Sequence, residues 1–255
     1  VPIGGTLVLA GEEERRDISL LDVLIRREQV NVAFFPPSLL GMFANLDFPF
    51  MKTLLFGAEA ISEKLFNRLK QQPYRLMNVY GPTENTVLST IRIVNDETSY
   101  DNIGYPLEGT TCHILSEDLQ QVVGGATGEL YLSGPQVSSG YIGNKELNEK
   151  SFIFYHGERL YRTGDLVRQQ PDGSIRFIGR KDTQVKMRGF RIELREITEC
   201  LNKDPEVEKA HVVVVEQNGR QLLGAYLQPS VPGCFHPEDV KERLRSELPY
   251  YMIPN

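Results

Sequence analysis

The stretch Asn78-Val79-Tyr80-Gly81-Pro82-Thr83-Glu84 decides how the chain is interpreted, because a Gly-Pro turn follows a predicted strand and presents a hydroxyl beside a carboxylate. Thr83 can donate to a phosphate oxygen, Glu84 can bind a hard cation such as Mg2+ through oxygen, and Tyr80 offers a flat face to a base. The same string is compatible with a plain turn followed by a helix cap. A phosphate and metal site is therefore one of two readings that the stretch leaves open.

The segments before this stretch alternate between helical and strand patterns. Apolar residues at helical spacing from Ile18 to Ile25 precede a short apolar run, Val30 to Phe35. Lys52 to Phe56 and Arg75 to Val79 are further predicted strands, and Ser62 can cap a helix between them. The alternation predicts an α/β fold with a parallel sheet, in which ligands gather at the carboxyl ends of the strands.

From about Thr110 the pattern changes to short strands and glycine-rich turns, which indicates a small β-rich layer. Its predicted strands are Thr111 to Leu115, Glu129 to Ser133 and Ser174 to Ile178. After Arg180 the pattern predicts a compact α+β subdomain. Its predicted elements are a helix from Leu194 to Leu201, strands His211 to Val215 and Gln221 to Tyr226, and a helix from Pro237 to Glu247.

Composition restricts the class of protein. The 255 residues are 40% hydrophobic, enough for a large core, and 28 basic against 34 acidic residues give a net charge of -6. Nucleic acid is therefore not expected as a partner. Cys112, Cys200 and Cys234 lack metal-ligand spacing and are interpreted as reduced thiols of a cytoplasmic protein, without a zinc site. No targeting or membrane-spanning pattern is present, and the absence of an initiator Met suggests an excised piece.

Four later motifs, taken in order with the first, carry a family resemblance. They are Gly128-Glu129-Leu130-Tyr131-Leu132-Ser133-Gly134, Tyr161-Arg162-Thr163-Gly164-Asp165-Leu166, the run from Gly179 to Leu194 that contains Gln184-Val185-Lys186-Met187-Arg188-Gly189, and Leu248-Pro249-Tyr250-Tyr251-Met252-Ile253-Pro254. The chain resembles the adenylation domain of nonribosomal peptide synthetases, a branch of the acyl-adenylate-forming, AMP-binding enzymes. The resemblance implies that residues 1–181 belong to a large α/β core and that residues 182–255 form a mobile, incomplete subdomain.

The implied activity is ATP-dependent activation of an acid as acyl-AMP, with Mg2+, in antibiotic biosynthesis. The acyl group would then pass to a phosphopantetheine thiol on a carrier-protein domain, beside neighbouring synthetase domains. By resemblance Tyr80 stacks on adenine, Thr83 contacts the α-phosphate, Glu84 holds Mg2+ and Asp165 grips the ribose hydroxyls. For Glu84 the alternative is a carboxylate that favours a helix N-terminus, and for Asp165 it is a turn-forming aspartate that caps its own backbone.

Other nucleotide contacts are also implied. Arg180 is expected to reach the ribose or phosphates, and Phe177 replaces a tyrosine usual in the family, so that a stacking face remains without the hydroxyl. The complete implied set of nucleotide-binding residues is Gly57, Ala58, Glu59, Asn78, Tyr80, Gly81, Thr83, Asp165, Phe177 and Arg180.

The family selects its acid with side chains around the strand ends. The matching positions here are Phe34, Leu55, Gly57, Val79, Val87 and Leu88. All are apolar, and burying an unpaired charged group among them would cost several kcal/mol, so we expect a hydrophobic acid. Each of these residues is alternatively ordinary core. Whether the acid is an amino, hydroxy or keto acid stays open.

In the run from Gly179 to Leu194, Asp182 resembles the family's hinge residue and Gly189 lies where a pantetheine channel is expected. Lys186 is a catalytic candidate. Alternatively, Lys186, Arg188 and Arg191 form a solvated basic ridge paired with Glu193 and Glu196, which is the preferred interpretation for the two arginines. Arg195 and Thr198 replace a usual Gly and Glu and are expected on an exposed helix face.

The resemblance leaves three family features unmatched. The phosphate loop and the aspartate that grips the substrate amine lie upstream in the family, and the final catalytic lysine lies beyond the position of Asn255. The isolated chain is therefore expected to be inactive. Two alternatives stay open: an acyl-CoA ligase or luciferase-like relative, and a catalytically silent interaction module.

Overall fold

A computed structural model describes residues 4–217, 220–231 and 235–255. In this part of the protein the chain divides into two compact units, Val1–Lys181 and Asp182–Asn255. The boundary therefore lies between Lys181 and Asp182. The roles expected of the units, an adenylating core and a mobile subdomain, stay predictions.

The first unit combines short helices with a large sheet. Its helices are α1 (Glu12–Arg16), α2 (Ile18–Arg27), α3 (Pro37–Leu40), α4 (Glu63–Lys70) and α5 (Lys145–Ser151), with a 3-10 turn at Thr83–Asn85. Its strands are β1 (Val32–Phe35), β2 (Thr53–Gly57), β3 (Arg75–Tyr80), β4 (Thr90–Ile93), β5 (Asn102–Pro106), β6 (Thr111–Leu115), β7 (Thr127–Ser133), β8 (Phe152–Tyr155), β9 (Glu158–Gln169) and β10 (Ile175–Arg180). The alternation of helix and strand up to β3 confirms the predicted α/β class.

Among the described residues, ten strands join in one sheet in the order β1-β2-β3-β4-β5-β10-β9-β7-β6, with β8 paired to β9. Only β1, β2 and β3 are parallel, and every later pairing is antiparallel. The expected parallel sheet therefore comprises β1 to β3, and the expected β-rich layer continues that sheet with antiparallel pairing. The connection from β3 to β4 contains one 3-10 turn, whereas a parallel return needs a crossover of about a dozen residues or more.

Local signals explain the elements next to the site. The Asp17 carboxylate accepts a hydrogen bond of 2.8 Å from the Ser19 amide and begins α2. The Ser62 hydroxyl accepts one of 3.3 Å from the Leu65 amide and begins α4, as the sequence predicts. The helices cover one face of the parallel strands, where Leu54 and Phe56 are buried, and the alternate residues of β2 face the other way.

The second unit has its own core. Its elements are β11 (Gln184–Met187), β12 (Phe190–Glu193), α6 (Leu194–Leu201), β13 (Val207–Gln217), β14 (Arg220–Pro229), α7 (Pro237–Glu247) and a 3-10 turn at Tyr250–Met252. The two predicted helices are confirmed with the expected bounds. Buried Ile192, Ile197 and Leu223 join the hairpins to α6 in one apolar cluster.

Candidate functional site

The turn after β3 is shaped by a close backbone approach. A Cβ atom at Gly81 would lie 2.3 Å from the Val87 carbonyl oxygen and 2.8 Å from the Leu88 Cα, so that no side chain fits there. The Ser89 amide also donates to the Tyr80 carbonyl over 2.8 Å. The loop between β3 and β4 is therefore folded back tightly on the strand end.

Glu84 is buried at the first turn after this strand, with 6% of its surface exposed, whereas Thr83 is exposed. The Tyr141 hydroxyl donates to Glu84 Oε1 over 2.5 Å, and the Ser138 amide donates to the Glu84 carbonyl over 2.8 Å. A buried carboxylate beside a threonine hydroxyl offers the oxygen ligands that Mg2+ prefers. The residues present at this corner therefore fit the expected metal.

Tyr80, Asp165 and Arg180 form a hydrogen-bonded cluster, in which Tyr80 and Asp165 are buried and Arg180 is half-buried. The Tyr80 hydroxyl donates to Asp165 Oδ2 over 2.5 Å, and Arg180 Nη1 donates to Asp165 Oδ1 over 2.5 Å. Asp165 is 3% exposed. Burial, and then the neighbouring charge of Asp165, raise the pKa of the Tyr80 phenol well above its usual 10.0. Three residues that the sequence predicts for one ligand thus meet in the structure, although 85 positions separate the first two.

An irregular stretch of β9 points the Asp165 side chain toward Tyr80 and Arg180. Glu129 of β7 pairs with Leu166 of β9, and Tyr131 pairs with Arg162. The stretch of β9 between these two pairs is longer than the facing stretch of β7, so β9 bulges there. The Thr163 hydroxyl donates to the Leu130 carbonyl over 2.7 Å, and the Asp165 amide donates to the same hydroxyl over 3.0 Å. The expected Thr-Gly-Asp turn is therefore a bulge inside a strand, a device that re-aims a side chain.

Asn78 and Phe177 lie beside the cluster. Asn78 is buried, and its Nδ2 donates to the Asn102 carbonyl over 2.8 Å, which connects β3 to the start of β5. Phe177 is half-buried and packs against the apolar group that contains Tyr80. Asn78 thus has a bracing function in the sheet that the sequence did not reveal, and a nucleotide contact by either residue stays a prediction.

Gly57, Ala58 and Glu59 leave β2 beside the same corner. Gly57 pairs with Val79, and a Cβ at Gly57 would lie 2.0 Å from the Val79 carbonyl oxygen. Ala58 has a φ of 69°, and Glu59 Oε1 accepts a hydrogen bond of 2.8 Å from the Ser38 amide in the first turn of α3. Glu59 therefore caps a helix, a contact that the sequence did not predict.

Four of the six predicted substrate residues lie on one face of the parallel strands. Phe34, Leu55 and the pair Gly57 and Val79 share one sheet face by register, opposite the helix-covered face. Val79 is 2% exposed, whereas Phe34 is 48% exposed. The face thus contains both buried and accessible apolar groups.

Val87 and Leu88 lie on the loop that folds back over Gly81. Val87 is 71% exposed and has a φ of 72°, and the Leu88 amide donates to the Thr86 carbonyl over 2.9 Å. This is a γ-turn with a β-branched residue at its centre, a strained conformation. Strain of this kind is concentrated at ligand sites.

Comparisons with known proteins identify the family of this chain. Residues 1–142 match the model of a family described as AMP-binding enzyme. The chain belongs to the AMP-binding enzyme family. It is 40% identical over 260 residues to surfactin synthase subunit 3 of Bacillus subtilis (strain 168), a match that covers 97% of this chain and 20% of that protein. It is 37% identical over 258 residues to bacitracin synthase 1 of Bacillus licheniformis, covering 100% and 5% respectively.

A solved structure of known class has a similar fold. It is NpsA-ThdA, an artificially fused adenylation-PCP di-domain NRPS from Klebsiella oxytoca, which is 26% identical with a TM-score of 0.80 over 94% of this chain and 46% of that one. This AMP-binding chain therefore resembles NRPS adenylation domains, as its motifs predict. It spans a fifth or less of the two curated relatives and about half of the solved chain.

In the second unit of this AMP-binding chain, the candidates Asp182, Lys186 and Gly189 lie on or before the β11–β12 hairpin. Asp182 Oδ1 accepts a hydrogen bond of 3.1 Å from the Gln184 amide. Lys186 pairs in register with Arg191, and Arg188 and Gly189 form the two-residue turn, with φ of 53° and 78°. Positive φ at both positions favours glycine, which gives Gly189 a local reason to be there.

Arg188 and Arg191 of this hairpin are both exposed, as their preferred interpretation expects. Arg191 Nη2 lies 3.6 Å from Glu193 Oε1, so this ion pair is present. Arg195 is exposed on α6 as expected. Thr198 is half-buried and donates to the Leu194 carbonyl over 2.9 Å, so the expectation of an exposed position was wrong.

The described cysteines are free thiols, and the described helices are too short or too polar to span a membrane. Cys112 and Cys200 are free thiols, and burial raises the pKa of Cys112 to about 12; Cys234 lies outside the described residues. Of the helices that the structure describes, none has the length and apolar character needed to cross a membrane.

Sequence reasoning missed one residue of the corner, Tyr141. It lies 57 positions from Glu84, outside every motif that carried the resemblance. Its only local signal is Asn144, a helix cap whose Oδ1 accepts from the Leu147 amide over 3.0 Å and begins α5. A cap predicts a helix and says nothing about a distant carboxylate.

Proposed function

We propose that this chain forms part of an adenylation domain that activates a hydrophobic acid with ATP and passes the acyl group to a carrier-domain thiol. The observation that carries the proposal is the hydrogen-bonded cluster of Tyr80, Asp165 and Arg180 at the end of β3, which the turn with Thr83 and Glu84 follows directly. It supports a nucleotide site because it presents donors, acceptors and a metal-binding carboxylate at the end of one strand.

In the first half-reaction a carboxylate oxygen of the acid attacks the α-phosphorus of ATP. The bond from that phosphorus to the bridging oxygen breaks, and acyl-AMP and pyrophosphate result. The Thr83 hydroxyl donates to an α-phosphate oxygen and so stabilises charge that develops there. Mg2+ bound at Glu84 would supply further stabilisation of phosphate charge.

Asp165 would bind the ribose. A carboxylate has about four lone-pair sites on its two oxygens, so ribose hydroxyls can join Tyr80 and Arg180 as donors to Asp165. Arg180 orients this carboxylate, because its Nη1 donates to Asp165 Oδ1 over 2.5 Å.

The acid would bind against the face of Phe34, Leu55, Gly57 and Val79, with Val87 and Leu88 on the adjoining loop. These positions provide no polar side chain, and a charged substrate group placed there would be left unpaired. We therefore infer a hydrophobic amino acid or a related hydroxy or keto acid.

In the second half-reaction a phosphopantetheine thiol attacks the carbonyl carbon of acyl-AMP. The bond from that carbon to the phosphate oxygen breaks, the thiol proton is lost to solvent or a base, and AMP leaves with a thioester remaining. The similarity to an adenylation-PCP di-domain supports this step. The hinge role of Asp182, the channel position of Gly189 and the catalytic role of Lys186 are proposed from the family resemblance alone.

The proposal is tested by ATP-pyrophosphate exchange on the full-length protein with a panel of acids. We expect exchange with aliphatic or aromatic acids and background exchange with Asp, Glu, Lys or Arg. Reactions without any acid give the background. Strongest exchange with a charged amino acid would overturn the substrate inference, and no exchange with any acid, from protein that binds ATP, would overturn the reaction.

A further inference from the structure

A residue from a different loop, Tyr141, contacts the carboxylate of Glu84. Glu84 is 6% exposed, and the hydroxyl of half-buried Tyr141 lies 2.5 Å from its Oε1. A hydrogen bond between a hydroxyl and an ionised carboxylate is short and about twice as strong as one between neutral groups. Tyr141 therefore contributes directly to the orientation of this carboxylate.

Tyr141 is itself fixed by its neighbours. Its amide donates to Asn148 Oδ1 over 2.6 Å, and Asn148 Nδ2 donates back to its carbonyl over 2.8 Å. Its ring packs edge-on against Phe152, with centroids 5.6 Å apart. The hydroxyl is thus presented by a ring whose backbone and face are both restrained.

The segment before Tyr141 is attached to the same corner at two further points. The Ser138 amide donates to the Glu84 carbonyl over 2.8 Å, and the Thr86 hydroxyl donates to the Gln136 carbonyl over 2.7 Å. Gly140, between these contacts and the ring, has a φ of 122°, and a Cβ there would lie 2.4 Å from Asn148 Oδ1. Residues 136–141 therefore form a brace along the corner, and the brace ends in the Tyr141 hydroxyl.

We propose that Tyr141 is a positioning residue that orients the Glu84 carboxylate for Mg2+. The inference rests on the proposed function of Glu84. Metal-binding carboxylates are commonly oriented by a hydrogen bond from a further group, and loss of that group lowers metal affinity about 10- to 100-fold. A phenol suits this task because it donates a hydrogen bond without bringing a positive charge to the site.

A second buried carboxylate in the same unit provides a contrast. Glu129 is 5% exposed and accepts from Arg162 Nε over 2.7 Å and from Arg162 Nη2 over 2.9 Å. A guanidinium brings a permanent positive charge, which lowers the attraction of the carboxylate for another cation. The pairing of Glu129 with arginine suits a structural ion pair, and the phenol at Glu84 suits a carboxylate that is to receive a metal.

The test measures metal affinity rather than turnover. Mn2+ replaces Mg2+ as the probe, and the free Mn2+ signal in electron paramagnetic resonance is recorded for the full-length protein with a non-hydrolysable ATP analogue. Protein-free samples give the Mn2+ held by the analogue alone. We expect Tyr141→Phe to weaken Mn2+ binding about 10- to 100-fold. Tyr131→Phe is the matched control, since it removes another buried hydroxyl, one that lies 3.4 Å from Glu129 Oε2.

Two further variants separate the possible failures. Glu84→Gln removes the ligand charge, and Asn148→Ala releases the brace while leaving the Tyr141 ring and hydroxyl intact. Weaker Mn2+ binding in all three variants, with unchanged binding in Tyr131→Phe, supports the proposal. Mn2+ binding within twofold of wild type in Tyr141→Phe, together with weak binding in Glu84→Gln, overturns the positioning role alone. Unchanged binding in Glu84→Gln overturns the metal role of Glu84 itself.

If Tyr141→Phe fails to fold, the Asn148→Ala measurement decides the matter. Weaker Mn2+ binding in folded Asn148→Ala supports the brace. Binding equal to wild type in that variant contradicts it, because the hydroxyl would then need no fixed backbone.

Discussion

Tyr80 and Asp165 are 85 positions apart in sequence, and the phenol oxygen of Tyr80 lies 2.5 Å from Asp165 Oδ2. The contact joins the end of β3 to the bulge of β9. It explains why a strand-end tyrosine is buried at the site, since its hydroxyl has a charged acceptor there. An adenine stacked on its ring and a ribose held by Asp165 would thus be positioned by one hydrogen-bonded pair.

Tyr80→Phe is expected to lower the free energy of unfolding by about 1 to 3 kcal/mol, because a buried carboxylate loses a donor. The effect should depend on pH. The folded-state pKa of this phenol is raised above 10.0, so the stability it contributes is fully present below pH 10.0 and is lost as pH rises through the folded pKa. Urea unfolding from pH 7 to 11 measures this. Tyr100→Phe is the control, and an equal pH slope in wild type and Tyr80→Phe would contradict the prediction.

Glu84→Ala and Asp165→Ala are both expected to weaken adenylation, but in different ways. Asp165→Ala should raise the KM for ATP, because the ribose hydroxyls lose their acceptor. Glu84→Ala should shift the Mg2+ dependence to higher concentration and recover part of its rate when Mg2+ is raised. Pyrophosphate exchange across an ATP and Mg2+ matrix separates the two effects. Asp118→Ala, on an exposed turn, is the control. An unchanged KM for ATP in Asp165→Ala would remove the ribose assignment.

Leu88→Phe is expected to shift substrate preference toward smaller side chains, because a larger residue takes space from the proposed pocket. Each methylene excluded should change discrimination by about 1 to 3 kcal/mol. The ratio of kcat/KM between a small and a large hydrophobic acid measures the shift. Ile93→Phe, at an exposed position of β4, is the control. A constant ratio in Leu88→Phe would show that this side chain does not contact the acid.

Asp182→Pro is expected to separate the two half-reactions. Lys181 is anchored within the first unit, since its amide donates to the Gly164 carbonyl over 2.9 Å and its Nζ donates to Glu117 Oε1 over 2.9 Å. A rotation proposed for the second unit must then begin beyond Lys181. Proline fixes φ at the next residue, so we expect pyrophosphate exchange to survive while thioester formation falls by orders of magnitude.

Both rates are measured on one preparation of this variant. Asp182→Ala is the matched control, because it also removes the acceptor of the Gln184 amide but leaves φ unrestricted. Normal thioester formation in Asp182→Pro would show that Asp182 is not the pivot. Equal loss of both half-reactions would indicate misfolding or a direct role in nucleotide binding.

The sequence predicted what depends on neighbours along the chain. The Ser62 cap, the bounds of α6 and α7 and the strand that ends at Tyr80 all follow from local pattern. The antiparallel continuation of the sheet and the bulge that carries Asp165 depend on pairing between distant segments, which periodicity does not report. The Tyr141 contact to Glu84 was missed for the same reason. Family resemblance predicted a shared role for Tyr80, Asp165 and Arg180, but it did not predict their hydrogen bonds.

The γ-turn at Val87 places a branched side chain in a backbone conformation that suits glycine or asparagine. Replacing Val87 by glycine would relax the loop and at the same time remove a wall of the proposed pocket. The stability of the fold would therefore favour glycine at position 87, whereas the proposed pocket uses the valine side chain to select the acid. Selection for thermostable variants would then remove the valine at position 87. Selection for an altered substrate preference would act on the same position.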